Sequence, residues 1–429
     1  MVISYRLVFL ALVLLVALFF LLKPAKLQNL SPLQYLRASG RKSPEIFNGT
    51  LGFQEVLVIN LPERTDRRDA MTLAAALSKI DVTWIAGLAG QDVFDKVLPG
   101  DSFDKKISIG NKGSWRAHMN ALHRVVERNL TSALILEDDA DWDMMLKPQL
   151  EVFAQAARAF TQPRSRSGLT LATKYAHDSR SPTDIPLDQI PADLQPTLTP
   201  YGDDWDVLWL GHCGTQFPTR SAIADEAPDK NDPNRVADPS HRPPLLRVLV
   251  PNDPTVPAPE HLKPHPFALR DKLADMYPPH TRVVHASSAT MCTQAYAVSQ
   301  QGARKLLWQF GLETLTNGWD FMLRDWCDGL YATTEDEAAA EEGMDTNTRL
   351  VKAPVCVTVQ PPLFSHHYGR GAASDITAPG GGFINKDKEM TPYIRYSVRL
   401  NMGRLIRGAG LRDLVDQFAG KKEKGKVTA

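Results

Sequence analysis

The residues best placed to do chemistry are carboxylates crowded at the end of an apolar run. In ALILEDDADWD, residues 133–143, a short apolar stretch delivers Glu137, Asp138, Asp139 and Asp141. Carboxylates this close repel one another and take up protons unless a divalent cation or cationic side chains neutralise them. Asp139 and Asp141 have the D-x-D spacing of a clamp on a metal bound to a sugar-nucleotide diphosphate. Hard carboxylate oxygens suit Mn2+ or Mg2+ and leave coordination positions for phosphate. Such a cation would neutralise charge developing on a leaving diphosphate. The competing reading is an acidic helix N-terminus, where carboxylates meet the positive end of the dipole. Placement after a buried strand, where open α/β sheets bind ligands, favours the cation site.

Other residues carry two readings each. Asn60 ends the strand-like EVLVINL, where its amide suits a uracil or ribose, and Arg64, Arg67 and Arg68 follow within reach of a diphosphate. The same arginines also suit an ordinary solvated helix start. His118 lies at the edge of an apolar helix face, either a satisfied core histidine or a donor contact. His366 and His367 follow Pro361-Pro362 in a loop from which a histidine can complete a metal shell, or form a pH-responsive pair. Asp320 precedes a helical stretch and is either the base that deprotonates an acceptor hydroxyl or a helix N-cap. His212 and Cys213 are adjacent, so in a strand they point to opposite faces and do not make a ready dyad. Cys213 reads better as structural or disulfide-bonded. No G-x-S-x-G elbow proposes a serine hydrolase.

The elements that must position these groups follow from periodicity. The apolar run 55–61 reads as a buried parallel strand. Residues 64–78 place Met71, Ala74 and Leu77 at three-residue steps, a helix, and 81–85 reads as the next strand. Residues 112–128 repeat the pattern, with Trp115, Met119, Leu122, Val125 and Val126 on one face, before the strand 133–136. Between residues 161 and 280 lie 20 of the chain's 31 prolines, a density that excludes helix and central strand. Two proline-rich surface insertions are expected, 161–204 and 215–279, flanking one core strand, 205–211. Strand 295–298, a helix over 300–310 and strand 355–359 follow. The acidic run 335–342 and the basic tail 421–426 read as solvated.

The chain has 429 residues, 49 Lys and Arg against 49 Asp and Glu, and 43% hydrophobic residues, which excludes a disordered chain and a charge-driven nucleic-acid binder. No nucleic-acid partner is expected. Four scattered cysteines are too few for a disulfide scaffold, and no C-x-x-C pair proposes zinc. Residues 7–22 are uncharged and apolar; as a helix they reach about 24 Å, slightly short of a ~30 Å hydrocarbon core. The long apolar core and the absence of a small-x-small cleavage site favour an uncleaved signal-anchor over a cleaved signal peptide. Positive charge on both flanks leaves orientation open. Asn48-Gly-Thr50 and Asn129-Leu-Thr131 are glycan acceptors if the body is luminal. The expected organisation is a tail (1–6), a transmembrane helix (7–22), a stem (23–53), a catalytic domain (54–400) and a C-terminal helix with basic tail (401–429).

VLVINLPERTDRRDAM, residues 56–71, followed by GNKGSWRAHMNALHRVVERNLTSALILEDDADW, resembles glycosyltransferase family 25, which includes lipooligosaccharide and collagen hydroxylysine galactosyltransferases. Asn60, Asp66, Arg67, Arg68, Gly110, Gly113, His118 and Glu137 to Asp139 match the family's ordered pattern. DVLWLG, AYAVSQQGARKLL and GWDFML resemble later segments, so the likeness runs from about residue 55 to 368 with the insertions excluded. The chain departs from the family's Gly-Cys-x-x-Ser-His, having Gly113-Ser114-Trp115-Arg116-Ala117-His118. The resemblance implies a glycosyltransferase-A-like, Rossmann-related α/β fold, a mixed sheet flanked by helices. It also implies transfer of a hexose, galactose above others, from a UDP-sugar to a hydroxyl on a glycan or glycoprotein, with inversion. It implies Asn60, Arg64, Arg67, Arg68, Gly113, His118 and Glu137 as donor-binding and Asp320 and Asp138 as catalytic. Asp139, Asp141 and His366 are the expected ligands of Mn2+ or Mg2+. A single-pass type II protein of the Golgi or endoplasmic reticulum membrane, its domain luminal, is the matching location. The alternative is a catalytically inactive, membrane-tethered glycan- or nucleotide-binding protein of the same fold.

Overall fold

A computed structural model describes residues 43–100, 106–165, 167–173, 181–191, 193–219, 243–331, 354–370, 376 and 388–419. The expected tail, membrane helix and most of the stem lie outside the described residues, as do the acidic run and the basic tail. No described helix is long and apolar enough to cross a membrane.

Strand β1 (Glu55–Asn60) is followed by helix α1 (Thr65–Ser78) and β2 (Thr83–Ala86). Helix α2 (Ile109–Glu127) leads into β3 (Ser132–Glu137), then β4 (Ala140–Trp142) and helix α3 (Leu146–Thr161). Strands β5 (Thr183–Pro186), β6 (Val207–Gly211), β7 (Leu246–Val250), β8 (Arg282–Ala286) and β9 (Ala295–Ser299) precede helices α4 (Gln300–Trp308) and α5 (Trp319–Cys327). Strands β10 (Cys356–Gln360) and β11 (Phe364–His366) and helix α6 (Val398–Ile406) complete the described chain.

The strands form one mixed sheet in the order β2-β1-β3-β9-β6-β10-β8-β7-β5, with β11 bridging β6 and β4. Successive strand side chains point to opposite faces. Val56 and Val58 of β1 and Leu134 and Leu136 of β3 therefore join one core with Met71 of α1 and Phe153 of α3. Leu57, Ala133 and Ile135 join a second core with Trp115 and Met119 of α2, Leu306 of α4 and Met322 of α5. Burial on both faces is why β1 and β3 read as continuous apolar runs. The expected mixed α/β layers are what the chain forms.

Three expectations need correction. The proline-rich segments are not only surface loops: β5 and β7 arise inside them and pair in parallel, and β7 continues through β8 to β10. LRVLV (246–250) is an apolar run between prolines, and Pro186 ends β5 at the sheet edge, where a missing N–H is tolerated. Residues 43–53 belong to the body, not the stem. Ile46, Leu51 and Phe53 are buried in the first core, and the Ser43 N–H donates to Glu151 Oε2 at 2.9 Å. The boundary at residue 400 falls inside α6, whose Asn401 is fully buried and donates to the Val415 carbonyl at 3.0 Å. The cysteines pair as Cys213–Cys292 and Cys327–Cys356.

Candidate active site

Because β1 and β3 are parallel neighbours, their carboxyl ends open on one edge of the sheet. β9 runs antiparallel to β3, so the segment entering it, Cys292 to Gln294, arrives at that same edge. β11 pairs antiparallel with β4 and sets His366 opposite Ala140. The first turns of α2 and α5 close the sides. Together they enclose a cavity of about 590 Å3, lined by Arg67, Gly113, His118, Glu137, Asp138, Asp139, Thr293, Asp320 and His366 among others.

One wall is the acidic turn with Arg67 laid across its carboxylates. Arg67 donates through one nitrogen to Asp138 Oδ1 at 2.7 Å and Asp139 Oδ2 at 2.8 Å. Burial pushes Asp139 up, but His366, Arg67 and Arg399 outweigh it and hold the carboxyl below its usual range. Asp138 stays above its usual value, since burial and the Asp139 charge exceed the help from Arg67 and Asn60. Glu137 accepts from Thr293 Oγ1 at 2.7 Å; burial, then the neighbouring Asp139 charge, push it up to about 8. Asp139 Oδ1 is buried without a hydrogen-bond partner and lies 3.6 Å from His366 Nδ1.

His118 forms the floor. Its ring stacks on Trp319 with centroids 5.0 Å apart, Nδ1 meets the Tyr296 hydroxyl at 2.9 Å, and Nε2 is 3.9 Å from Glu137 Oε1. Burial lowers its pKa to about 3, so the ring is neutral. Asp320, in the first turn of α5, accepts the Cys292 N–H through Oδ2 at 3.1 Å. Gly318 occupies the N-cap position, so the capping reading of Asp320 does not hold.

Residues 53–182 match the family described as glycosyltransferase family 25 (LPS biosynthesis protein). This chain carries a glycosyltransferase family 25 segment. Procollagen galactosyltransferase 1 of Danio rerio is 29% identical over 120 residues, 25% of this chain and 20% of that protein. A glycosyltransferase 25 family member of Anopheles gambiae is 33% identical over 100 residues, 21% and 17% of the two chains. A Bos taurus protein named "Probable inactive glycosyltransferase 25 family member 3" is 27% identical over 124 residues, 26% and 21%. The aligned stretches span about a fifth of the length of these curated relatives.

The family 25 segment contributes Arg67, Gly113, His118 and the trio Glu137 to Asp139, all lining the cavity; Asp320 and His366 reach it from outside the matched residues. Gly113 is there because of close packing: a Cβ would lie 2.8 Å from the Leu88 carbonyl oxygen, so a side chain would push α2 off the 88–90 loop. Four expected residues do not line the cavity. Asp141 is fully buried behind it, accepting from Thr391 Oγ1 at 2.6 Å, Ser397 Oγ, and the N–H groups of Arg399 at 3.2 Å and Trp142 at 2.8 Å. Asp139 lies in the turn before β4 and Asp141 within it, where Thr391, Ser397 and two backbone N–H groups occupy both of its oxygens, so the D-x-D clamp is not formed. Asn60 is turned onto Asp138 Oδ2 at 2.8 Å and the Arg64 carbonyl at 3.2 Å. Arg64 makes two contacts to Asp66, whose pKa falls to about 2 chiefly through that hydrogen bond. Arg68 lies over the Trp84 ring at 4.6 Å.

Sequence reasoning missed Thr293, Cys292 and Arg399. The Arg399 side chain donates to the Asp138 carbonyl at 2.7 Å and the Ala140 carbonyl at 3.1 Å, bracing the acidic turn from 260 residues away. No local pattern marks such a residue.

Proposed function

We propose that this cavity transfers a hexose, galactose above others, from a UDP-sugar to a hydroxyl of a glycan or glycoprotein acceptor, inverting the anomeric carbon. The observation that carries the reading is one cavity with an arginine-braced acidic turn on one wall and a separately positioned carboxylate, Asp320, on another. The family 25 match and the galactosyltransferase names of the relatives support the reaction class. A glycosyltransferase-A-like fold suits the mixed sheet with a crevice at the strand ends.

Among the described residues no group of three His, Cys, Asp or Glu is arranged to hold a metal. The donors present still fit a cation such as Mn2+ or Mg2+. The orphaned Asp139 Oδ1 and the His366 ring nitrogen, 3.6 Å apart, are too far for a hydrogen bond and offer two ligands. Such ions need only one or two protein donors when phosphate and water complete the shell. Bound there, a cation supplies charge neutralisation for the departing diphosphate.

The chain's own residues perform the rest. Asp320, oriented through Oδ2 by the Cys292 N–H, takes the acceptor hydroxyl proton as the oxygen attacks the anomeric carbon and the bond to UDP breaks. Arg67 faces the leaving charge and holds Asp138 and Asp139 in register. Neutral His118 and Trp319 form an aromatic floor that helps exclude water. The decisive assay is a panel of UDP-sugars with Mn2+ and a hydroxyl acceptor, read as UDP release and sugar transfer. Asp139→Ala is expected to abolish both; undiminished transfer would remove the cation site. UDP binding with no transfer across the panel would identify the inactive binder.

A luminal, type II location in the Golgi or endoplasmic reticulum accords with two disulfides, which persist in oxidising compartments. Asn48 and Asn129 are exposed, as glycan acceptors must be. Loss of mass on glycosidase treatment of the cell-expressed chain is expected, and an unglycosylated, reduced chain would refute the location.

A further inference from the structure

We infer that the Cys213–Cys292 disulfide is a positioning device for Asp320, tying that carboxylate to the end of the central strand β6 through a segment also anchored on Glu137. The inference rests on the proposed role of Asp320 as base. Three consecutive residues do the positioning. The Cys292 N–H donates to Asp320 Oδ2 at 3.1 Å, the Thr293 hydroxyl donates to Glu137 Oε1 at 2.7 Å, and the Gln294 carbonyl accepts the Glu137 N–H at 3.1 Å. Asp320 belongs to α5 and Glu137 to β3; the 292–294 segment bonds to both.

That segment has to be held in place, because Cys292 adopts φ +65°, the left-handed region that a residue with a Cβ enters at a cost. The disulfide joins it to Cys213, two residues beyond β6, with Cα atoms 5.6 Å apart. The Trp209 indole N–H, also from β6, donates to the Cys292 carbonyl at 2.9 Å. Cys213 N–H donates to the Met291 carbonyl and Met291 N–H to the Gly214 carbonyl, at 3.0 and 2.9 Å. The Cys292 peptide is thus fixed at its carbonyl, its side chain and the preceding residue, and its remaining polar group, the N–H, points at Asp320. Cys292 also lines the cavity, whereas the second bridge, Cys327–Cys356, is buried in the core beneath the sheet. A bridge spent only on stability has no need to end on the carboxylate of the proposed base.

The test uses the full chain and compares Cys213→Ala/Cys292→Ala with Asp320→Asn in the UDP-sugar transfer assay. For the double variant we expect kcat to fall roughly tenfold to a hundredfold, the loss typical of a small misplacement of a reacting group. The donor KM and the thermal shift produced by UDP with Mn2+ should be unchanged. A double variant with wild-type kcat, while Asp320→Asn is inactive, overturns the inference and leaves the base standing. A double variant that loses kcat and UDP binding together also overturns it, since the bridge is then only structural. An Asp320→Asn variant that transfers at the wild-type rate removes the base itself and, with it, the group to be positioned.

Should the double variant not fold, the folded wild-type chain provides the same comparison. Cys213 and Cys292 are partly exposed, whereas Cys327 and Cys356 are buried, so a dithiol reductant opens the cavity bridge first. The exchange leaves two cysteine thiols and the cyclic disulfide of the reductant. Alkylation and mass spectrometry count the opened bridges. The expected result is a kcat that falls in step with alkylatable Cys292 and returns on reoxidation; a kcat that stays constant as the bridge opens refutes the inference.

Discussion

Asp141 and Asp139 are two residues apart and have opposite surroundings. Asp139 keeps one buried oxygen without a hydrogen bond at the cavity, whereas both oxygens of Asp141 are taken by donors of its own turn and of residues 391–399. A carboxylate satisfied in this way stabilises the fold; an oxygen left over serves a ligand. Asp141→Asn would replace charge-assisted bonds by weaker neutral ones and oblige the Thr391 and Ser397 hydroxyls to turn round and accept from the amide N–H2. We expect it to cost about 2–4 kcal/mol, measured by denaturant unfolding, while transfer per folded molecule falls far less than in Asp139→Ala. A variant of wild-type stability and no activity would return Asp141 to the site.

At the scale of elements, the acidic turn is a joint between β3, β4 and the start of α6. Helix α6 begins at an N-cap, Ser397, that bonds its own helix at Leu400 N–H and also Asp141. The next turn sends the Arg399 guanidinium onto the carbonyls of Asp138 and Ala140. Burial lowers the pKa of Arg399 while the surrounding aspartates oppose that shift, so the cation and the turn depend on each other. Arg399→Ala should cost about 1–3 kcal/mol by leaving carbonyls without donors and should also weaken UDP binding, because the turn carrying Asp138 and Asp139 loses its brace. Isothermal titration with UDP and Mn2+ measures the second effect; unchanged affinity would show that the turn holds its shape alone.

For the whole molecule, packing of the 250–280 region against the C-terminal residues creates a stability term that depends on pH. Asp271 accepts the Tyr393 hydroxyl at 3.3 Å, its other oxygen is buried without a partner, and burial pushes its pKa up to about 7. Between its ordinary value of 3.8 and about 7 the folded chain therefore holds a proton that the unfolded chain has released. Stability from this group is full below pH 4 and is lost as pH rises through 7. Asp271→Asn should flatten that slope and raise stability at pH 7.5 by roughly 1–3 kcal/mol, read from urea unfolding at pH 5 and 7.5. Equal slopes in variant and wild type would mean that the carboxyl is solvated.

Much of this was legible in the chain, and the reason is local. The continuous apolar runs of β1 and β3, the three-residue steps of α1 and α2 and the acidic end of β3 are properties of short windows, and short-range sterics and burial decide them. The ordered motifs around Asn60, Arg67, His118 and Glu137 to Asp139 pointed to family 25, and the match over residues 53–182 bears that out. The proline-rich stretches misled because proline density excludes central strand residue by residue, yet the six residues between Pro244 and Pro251 were enough to hold β7.

What the sequence alone determined was therefore the βαβ opening, the crowding of acids after β3 and the families of chemistry such acids permit. Tertiary structure decided which acids meet the cavity. Beyond the end of a strand, a side chain's direction depends on whatever pairs with the chain there, and here that is β11, Thr391 and Ser397, more than 200 residues away. It also decided that Asn60 serves Asp138, that Arg68 rests on Trp84, and that Cys292 meets Asp320. Contacts between distant segments leave no spacing in the chain to be read, because only folding brings their atoms within hydrogen-bonding range.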